Sequence, residues 1–345
     1  MDNQNKTFTV EKKERLGCVD MIRFLMINLI MAHHLYILGF SDNYLGASCW
    51  AWVDYFFILT GFFTMQHFTM YPTTQSPAQS AINYTIKKFK SFIPYVFIAV
   101  AIQYFISAQN FLANCHFRDF IKSFSDFPYE VMMLSSSGIV WPKLAPIWFL
   151  SAMLLTLPVL IYMILRFRDL WHILAWLLPI LYYGKMGINT SRAWPNDLIR
   201  AIAGMALGTF VYILAKKLRE NFPLEKKCML FLSLIEIGCF FLCVYITLRN
   251  ICYMNLLLLL FLVNTVIMLS GCSYTSKIKG SFCTLLGKIS LPMFLFHCPI
   301  GHIASQITPS INARVIIYYV GTILVSLIAI FIHNKLKFSA FSQHD

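Results

Sequence analysis

Apolar residues run along this chain in ten stretches, at roughly 20–40, 50–70, 92–109, 146–165, 170–184, 197–215, 228–248, 251–271, 282–303 and 314–334. About twenty apolar residues wound as a helix cross a hydrocarbon core about 30 Å thick. Helices also satisfy their own backbone hydrogen bonds, which lipid cannot do. The pattern predicts an all-α integral membrane protein, a bundle of about ten transmembrane helices with both termini cytoplasmic. It predicts one membrane domain over 1–345, in which 1–18 is a cytoplasmic N-terminal segment and 335–345 a short cytoplasmic tail. No small-residue cleavage site interrupts Phe24–Phe40, so the first helix is expected to be retained. The fifth stretch, Leu170–Gly184, is short and contains Pro179, and is the weakest of the ten.

Polar residues inside those stretches carry the next information, because ionisable side chains in a membrane are costly and mark function by default. Arg23 and His34 are eleven residues apart in the first stretch. At about 100° per residue they return to within about 20° of one helix face, separated by about 16 Å of rise. Asp20 lies about 50° off that face, and His33 about 100° from His34, so the two histidines cannot play one part. A cation at the rim and an imidazole at depth suit an elongated, anionic cofactor lying along the helix. A snorkelling Arg and a hydrogen-bonded core His fit the same spacing.

Composition agrees: 58% of residues are hydrophobic and 12% charged, with mean hydropathy +0.66, whereas soluble domains are about 25% charged. The net charge of +13 suggests a polyanion until it is placed on the topology. With a cytoplasmic N-terminus, nineteen basic residues fall inside and eight outside, Arg23 being the remaining one. That asymmetry is the positive-inside rule, not a nucleic-acid footprint. Most of the ten cysteines sit in spans as small hydrophobes, without metal-ligand spacing. Only Cys49 and Cys115 are placed where an outward disulfide is conceivable.

Four further constellations stand out. Asp54, in Trp50–Phe63 (WAWVDYFFILTGFF), belongs to an aromatic anchor region, or hydrogen-bonds a sugar hydroxyl or a partner on the first helix. Thr60-Gly61, behind it, permits close helix approach. Lys87, Lys88 and Lys90 in YTIKKFKSFIPY form a topogenic cluster before the third span, or a lip attracting a polyanionic ligand. His297, in the ninth stretch between Pro292 and Pro299, should reach the height of His34 on a helix running the same way. The connection Asn110–Ala145, with its mixed segment His116–Met133, is expected to lie outward at the interface or dip back beside the bundle.

Taken in order, six pieces resemble the membrane-bound acyltransferase-3 family of bacterial cell-surface acyltransferases over essentially the whole chain. They are DMIRFLMINLIMAHH (Asp20–His34), the Asp-aromatic-Thr-Gly run Val53–Phe63, KKFKSFIPY (Lys87–Tyr95), PIWFLSAMLLTLPVL (Pro146–Leu160), RAIAGMALG (Arg200–Gly208) and LGKISLPMFLFHCPI (Leu286–Ile300). The resemblance implies O-acyl transfer, usually acetyl, from cytoplasmic acyl-coenzyme A to a hydroxyl of a surface polysaccharide or its lipid-linked precursor. It implies His34 as the catalytic residue and Arg23 as a donor-binding residue. Many members carry Glu where this chain has Met153, a departure that bears on the acceptor. No hydrolase-like extracellular domain follows, so the membrane domain is expected to complete the transfer itself.

The expected enzyme sits in the bacterial plasma membrane as a multi-pass protein. Acetyl-coenzyme A is a co-substrate rather than a resident cofactor, the acceptor is a carbohydrate, and no metal takes part. Donor phosphates would lie near Arg23, Lys87, Lys88 and Lys90. His34 would act as general base, with His297 orienting the acceptor, sharing the proton or stabilising the oxyanion. Asp54, Trp148 and the 110–145 connection are candidates for the sugar side. A transporter or flippase using the intramembrane Arg, His and Asp as its path, and a non-catalytic partner in an envelope complex, are the competing classes. The sequence specifies no oligomeric state.

Overall fold

A computed structural model describes residues 16–41, 44–113, 118, 121, 124–186, 195–222, 225–251 and 253–341. All regular structure among them is helical: α1 (Gly17–His33), α2 (Trp52–Met70), α3 (Pro77–Ala113), the short α4 (Phe127–Val131), α5 (Ile147–Arg166), α6 (Arg168–Met186), α7 (Asn196–Asn221), α8 (Lys226–Leu248), α9 (Met254–Ser270), α10 (Ser281–Ile307) and α11 (Ile311–Phe341). Seven helices among the described residues are long and apolar enough to cross a membrane: α1 with its extension to Leu38, α3, α5, α7, α8, α10 and α11. The other three long helices fall short of the expectation for different reasons. Asp54, Gln66 and His67 interrupt α2, Arg168 and Asp169 open α6, and α9 has only 17 residues. All-helical among its described residues, the chain is a multi-pass membrane protein.

Burial sorts the helices. In the most apolar window of α5, 72% of residues are buried, and in that of α7, 61%; in α11 only 22% are. So α5 and α7 are central and α11 is peripheral. Ile316, Val320, Leu324, Ile328 and Phe331 form an exposed apolar face on α11 at helical spacing, the face a lipid-bathed helix presents.

Helices α2 and α7 meet at glycines. A β-carbon at Gly61 would overlap the carbonyl of Met205, and one at Gly208 the carbonyl of Ile58. The close approach expected at Thr60-Gly61 is therefore present, with Gly208 as its counterpart. Gly208→Ala is expected to destabilise the detergent-solubilised protein by about 1–3 kcal/mol, read as a lower thermal unfolding midpoint. Gly238→Ala is the comparison, because nothing lies within 4 Å of a β-carbon there.

Helix α1 packs along α10 in the same direction. Near one end Gly287 leaves room for the Asp20 carboxylate, and near the other Gly301 faces Ile37. The expected continuous helix over 20–40 instead tightens into a 3₁₀ turn at His34–Leu38, which ends at Gly39 with φ 97°. Two long side chains from α11 satisfy the carbonyls exposed there. Tyr318 Oη donates to Met31 O at 3.0 Å, and Arg314 Nη1 to Leu38 O at 2.8 Å. A broken intramembrane helix persists only where such partners exist.

The third stretch also differs from expectation. Its helix starts at Pro77, a residue suited to the first turn, rather than near 92. Residues Pro77–Gln109 span about 50 Å at 1.5 Å per residue, so the helix outruns the hydrocarbon core. Its first turns pack on α2 through Tyr84, whose ring centroid lies 5.1 Å from His67 and 5.3 Å from Phe68. After α3 the chain folds back, with Phe127 against Tyr104 and Phe97. Cys49 is fully buried in the core, and Cys115 lies outside the described residues.

Candidate active site

The break after α1 brings two adjacent histidines to one cavity of about 150 Å³, which His33, His34, Trp50, Trp148, Arg200 and Phe294 border. The helical projection sets His33 apart from His34. The tighter 3₁₀ turn brings both to the wall, with ring centroids 4.9 Å apart. Their bonds still separate their parts. His33 Nδ1 faces Ala47 O at 2.6 Å, and a carbonyl only accepts, so that nitrogen carries the proton. The His33 carbonyl takes the Tyr44 hydroxyl. His33 thus ties the 44–51 segment, which carries Trp50, to the end of α1. Asn250, with φ 59°, fixes the same segment by donating to Tyr44 O and accepting from Ser48 N–H, both at 2.9 Å.

His34 is 6% exposed and stacks on His297 of α10, with centroids 4.8 Å apart and planes 30° from parallel. The two histidines do meet at one height. Tyr36 Oη lies 3.3 Å from His34 Nδ1. His297 is fully buried, and its Nδ1 faces Met293 O at 3.2 Å and so carries the proton. Its Nε2 is then the lone-pair nitrogen, and it has no hydrogen-bond partner among the described residues. Cys298 adds a third donor atom within 4.8 Å of the other two.

The same cavity holds a cation, Arg200, one of the eight basic residues that the charge asymmetry puts outside. Arg200 of α7 is 7% exposed. Its Nε and Nη2 donate to the Asp54 carboxylate at 2.9 and 2.6 Å. The same carboxylate accepts Tyr183 Oη at 2.8 Å. The guanidinium carbon lies 5.2 Å from the Trp50 ring and 5.3 Å from the Trp148 ring. Asp54 itself is fully buried and does not border the cavity. It faces Arg200 and Tyr183 rather than open space.

Trp148 is held in turn by the chain before it. Ser136 Oγ donates to Trp148 O at 3.0 Å, and Ser136 N–H to Ser151 Oγ at 2.8 Å. Glu130, fully buried in α4, accepts Tyr104 Oη at 2.9 Å and the backbone N–H groups of Lys143 and Leu144 at 2.7 and 3.2 Å. Burial pushes its carboxyl above the usual range, against the pull of those donors and of Lys143. Met153, at the departure from the family pattern, is buried and lies 3.8 Å from Thr60 Oγ1 through its sulfur.

The remaining candidates lie elsewhere. Arg23, one-third exposed, is 3.8 Å from Asp20, so those two do pair, and its guanidinium lies 5.4 Å from the Phe63 ring of α2. Lys88 lies over Tyr84 at 5.6 Å, while Lys87 and Lys90 are exposed on the extended start of α3. Tyr84 and Phe63 both belong with the far half of α2, so this basic group shares the end of the bundle at which α1 begins. The structure therefore unites His34, His297, Trp148 and Arg200, and keeps Arg23 and the lysines apart from them along the bundle.

A family model described as an acyltransferase domain, that of acyltransferase-3, matches residues 16–332. No curated protein and no solved structure matches the chain.

Proposed function

The chain belongs to the acyltransferase-3 family, and from that premise we propose that this membrane acyltransferase moves an acetyl group from acetyl-coenzyme A to a carbohydrate hydroxyl, on a surface polysaccharide or its lipid-linked precursor. The observation that carries the reading is the cavity that His34, stacked on His297, shares with a buried, clamped arginine lying over two indole rings. Acyl transfer to a hydroxyl needs a base for the alcohol proton and donors for the developing oxyanion. Indole faces beside them suit the apolar face of a sugar ring.

In this scheme the termini are cytoplasmic and the membrane is the bacterial plasma membrane. Donor phosphates lie by Arg23, with Lys87, Lys88 and Lys90 drawing the anion to that end. The acyl arm then runs about 16 Å along α1 to His34. The neutral imidazole takes the acceptor proton as oxygen attacks the thioester carbonyl. It returns that proton to the departing thiolate, leaving an ester and coenzyme A. In this scheme the His297 lone pair, buried and without a partner among the described residues, accepts a hydrogen bond from the acceptor.

The test is transfer from acyl-labelled coenzyme A thioesters in membranes containing the protein, with label in glycan and free coenzyme A thiol both measured. Equal amounts of ester formed and thiol released support the reading, and the donor giving the fastest transfer identifies the acyl group. Substrate movement across sealed vesicles with no thioester consumed from any donor would sink it.

A further inference from the structure

Acyl transfer through this cavity leaves one role unfilled: the donor that stabilises the oxyanion of the tetrahedral intermediate. The groups that border the cavity narrow the choice. His33 commits its Nδ1 proton to Ala47 O, and so serves to hold the 44–51 segment. His34 is needed as base. Phe294 offers no donor. Trp50 and Trp148 offer neutral indole N–H groups, and Arg200 offers a charged donor that is already held on one side. Two of its donors are locked on Asp54 at 2.9 and 2.6 Å. Its guanidinium carbon lies 5.2 and 5.3 Å from the Trp50 and Trp148 rings. Its Nη1 has no hydrogen-bond partner among the described residues, while the side chain borders the cavity.

Resting on the acyltransferase reading, we propose that Arg200 Nη1 is the oxyanion donor, a catalytic residue in the same cavity as His34. The acceptor oxygen bonds to the thioester carbon as His34 takes its proton. The carbonyl π pair moves onto oxygen, which accepts the Nη1–H bonds. The oxyanion then re-forms C=O, the C–S bond breaks, and the thiolate takes the proton from the imidazolium. A donor held before the reaction needs no reorganisation as charge develops, which is why such groups have large effects. The Asp54 pairing has a second consequence. It leaves the arginine close to electrically neutral as a unit, so the site favours charge that appears in the transition state without drawing in a standing anion. Asp54 and Tyr183 are then positioning residues.

The experiment compares wild type with Arg200→Lys, which keeps a cation for Asp54 but withdraws the planar fork, using two nucleophiles: the glycan and hydroxylamine. The expected result is a kcat lower by about 10²–10³-fold with both nucleophiles, at unchanged KM for donor and glycan. A higher KM for glycan with an unchanged hydroxylamine rate would overturn the proposal, because it would place Arg200 on the sugar. Should Arg200→Lys fail to fold, the wild type decides by infrared spectroscopy. The thioester carbonyl of bound, carbonyl-labelled acetyl-coenzyme A is expected to absorb at lower frequency than in solution. An unshifted band would overturn the proposal. Absence of transfer and of binding in the wild type would instead remove the acyltransferase reading on which it rests.

Discussion

His34→Ala is expected to lower kcat for acyl transfer by about 10²–10⁴-fold, with protein yield and thermal midpoint close to wild type. His33→Ala is expected to keep most of kcat. Both histidines border the cavity, so proximity does not separate them; their bonds do. His33 Nδ1 is spent on Ala47 O, and the residue works by holding Trp50 in place. His34 stacks on His297, in the centre of the polar cluster. Loss of His33 should therefore appear as a raised KM for acceptor and a looser 44–51 segment, seen as faster hydrogen exchange there. The measurement is steady-state kinetics on purified variants with acetyl-coenzyme A and glycan. Equal losses in kcat for the two variants would contradict the assignment of the base.

Much of this was legible before any coordinates, and for an identifiable reason. Helical periodicity over a continuous stretch is a local property, so Arg23, Asp20 and His34 could be placed on one helix from spacing alone. The meeting of His34 with His297 followed from depth and direction, two quantities a membrane imposes on every span. What spacing missed came from departures from ideal helix and from long-range pairing. The 3₁₀ turn after His33 depends on Tyr318 and Arg314, nearly 300 residues away, to satisfy its carbonyls. The partner of Asp54 is 146 positions distant. A signal for it did exist. A buried carboxylate requires a cation or several donors, and Arg200 opens a motif at the start of an apolar helix at the right end of the bundle. Counting that arginine as topology hid it. Glu130, in a segment whose roughly helical mix of apolar and charged residues reads as interfacial or re-entrant, gave no comparable signal.

Asp54→Ala is expected to be the most damaging substitution to the fold. Removing one member of a buried ion pair costs about 3–5 kcal/mol, because Arg200 would keep its charge at 7% exposure with only two indole faces for company. Tyr183 Oη would lose its acceptor as well. For a protein whose total stability is about 5–15 kcal/mol, that loss should appear as a sharply reduced yield and a much lower unfolding midpoint in detergent. Replacing both partners with apolar residues, Asp54→Leu with Arg200→Met, should recover much of the stability, since a buried pair is worth little more than well-packed hydrocarbon. The double variant should nonetheless stay inactive, because the arginine is gone. These two results together separate a clamp from a sugar-binding carboxylate. An Asp54 that touched the acceptor would leave the fold intact when replaced and raise only the KM for glycan, and a stable Asp54→Ala protein of that kind would refute the clamp.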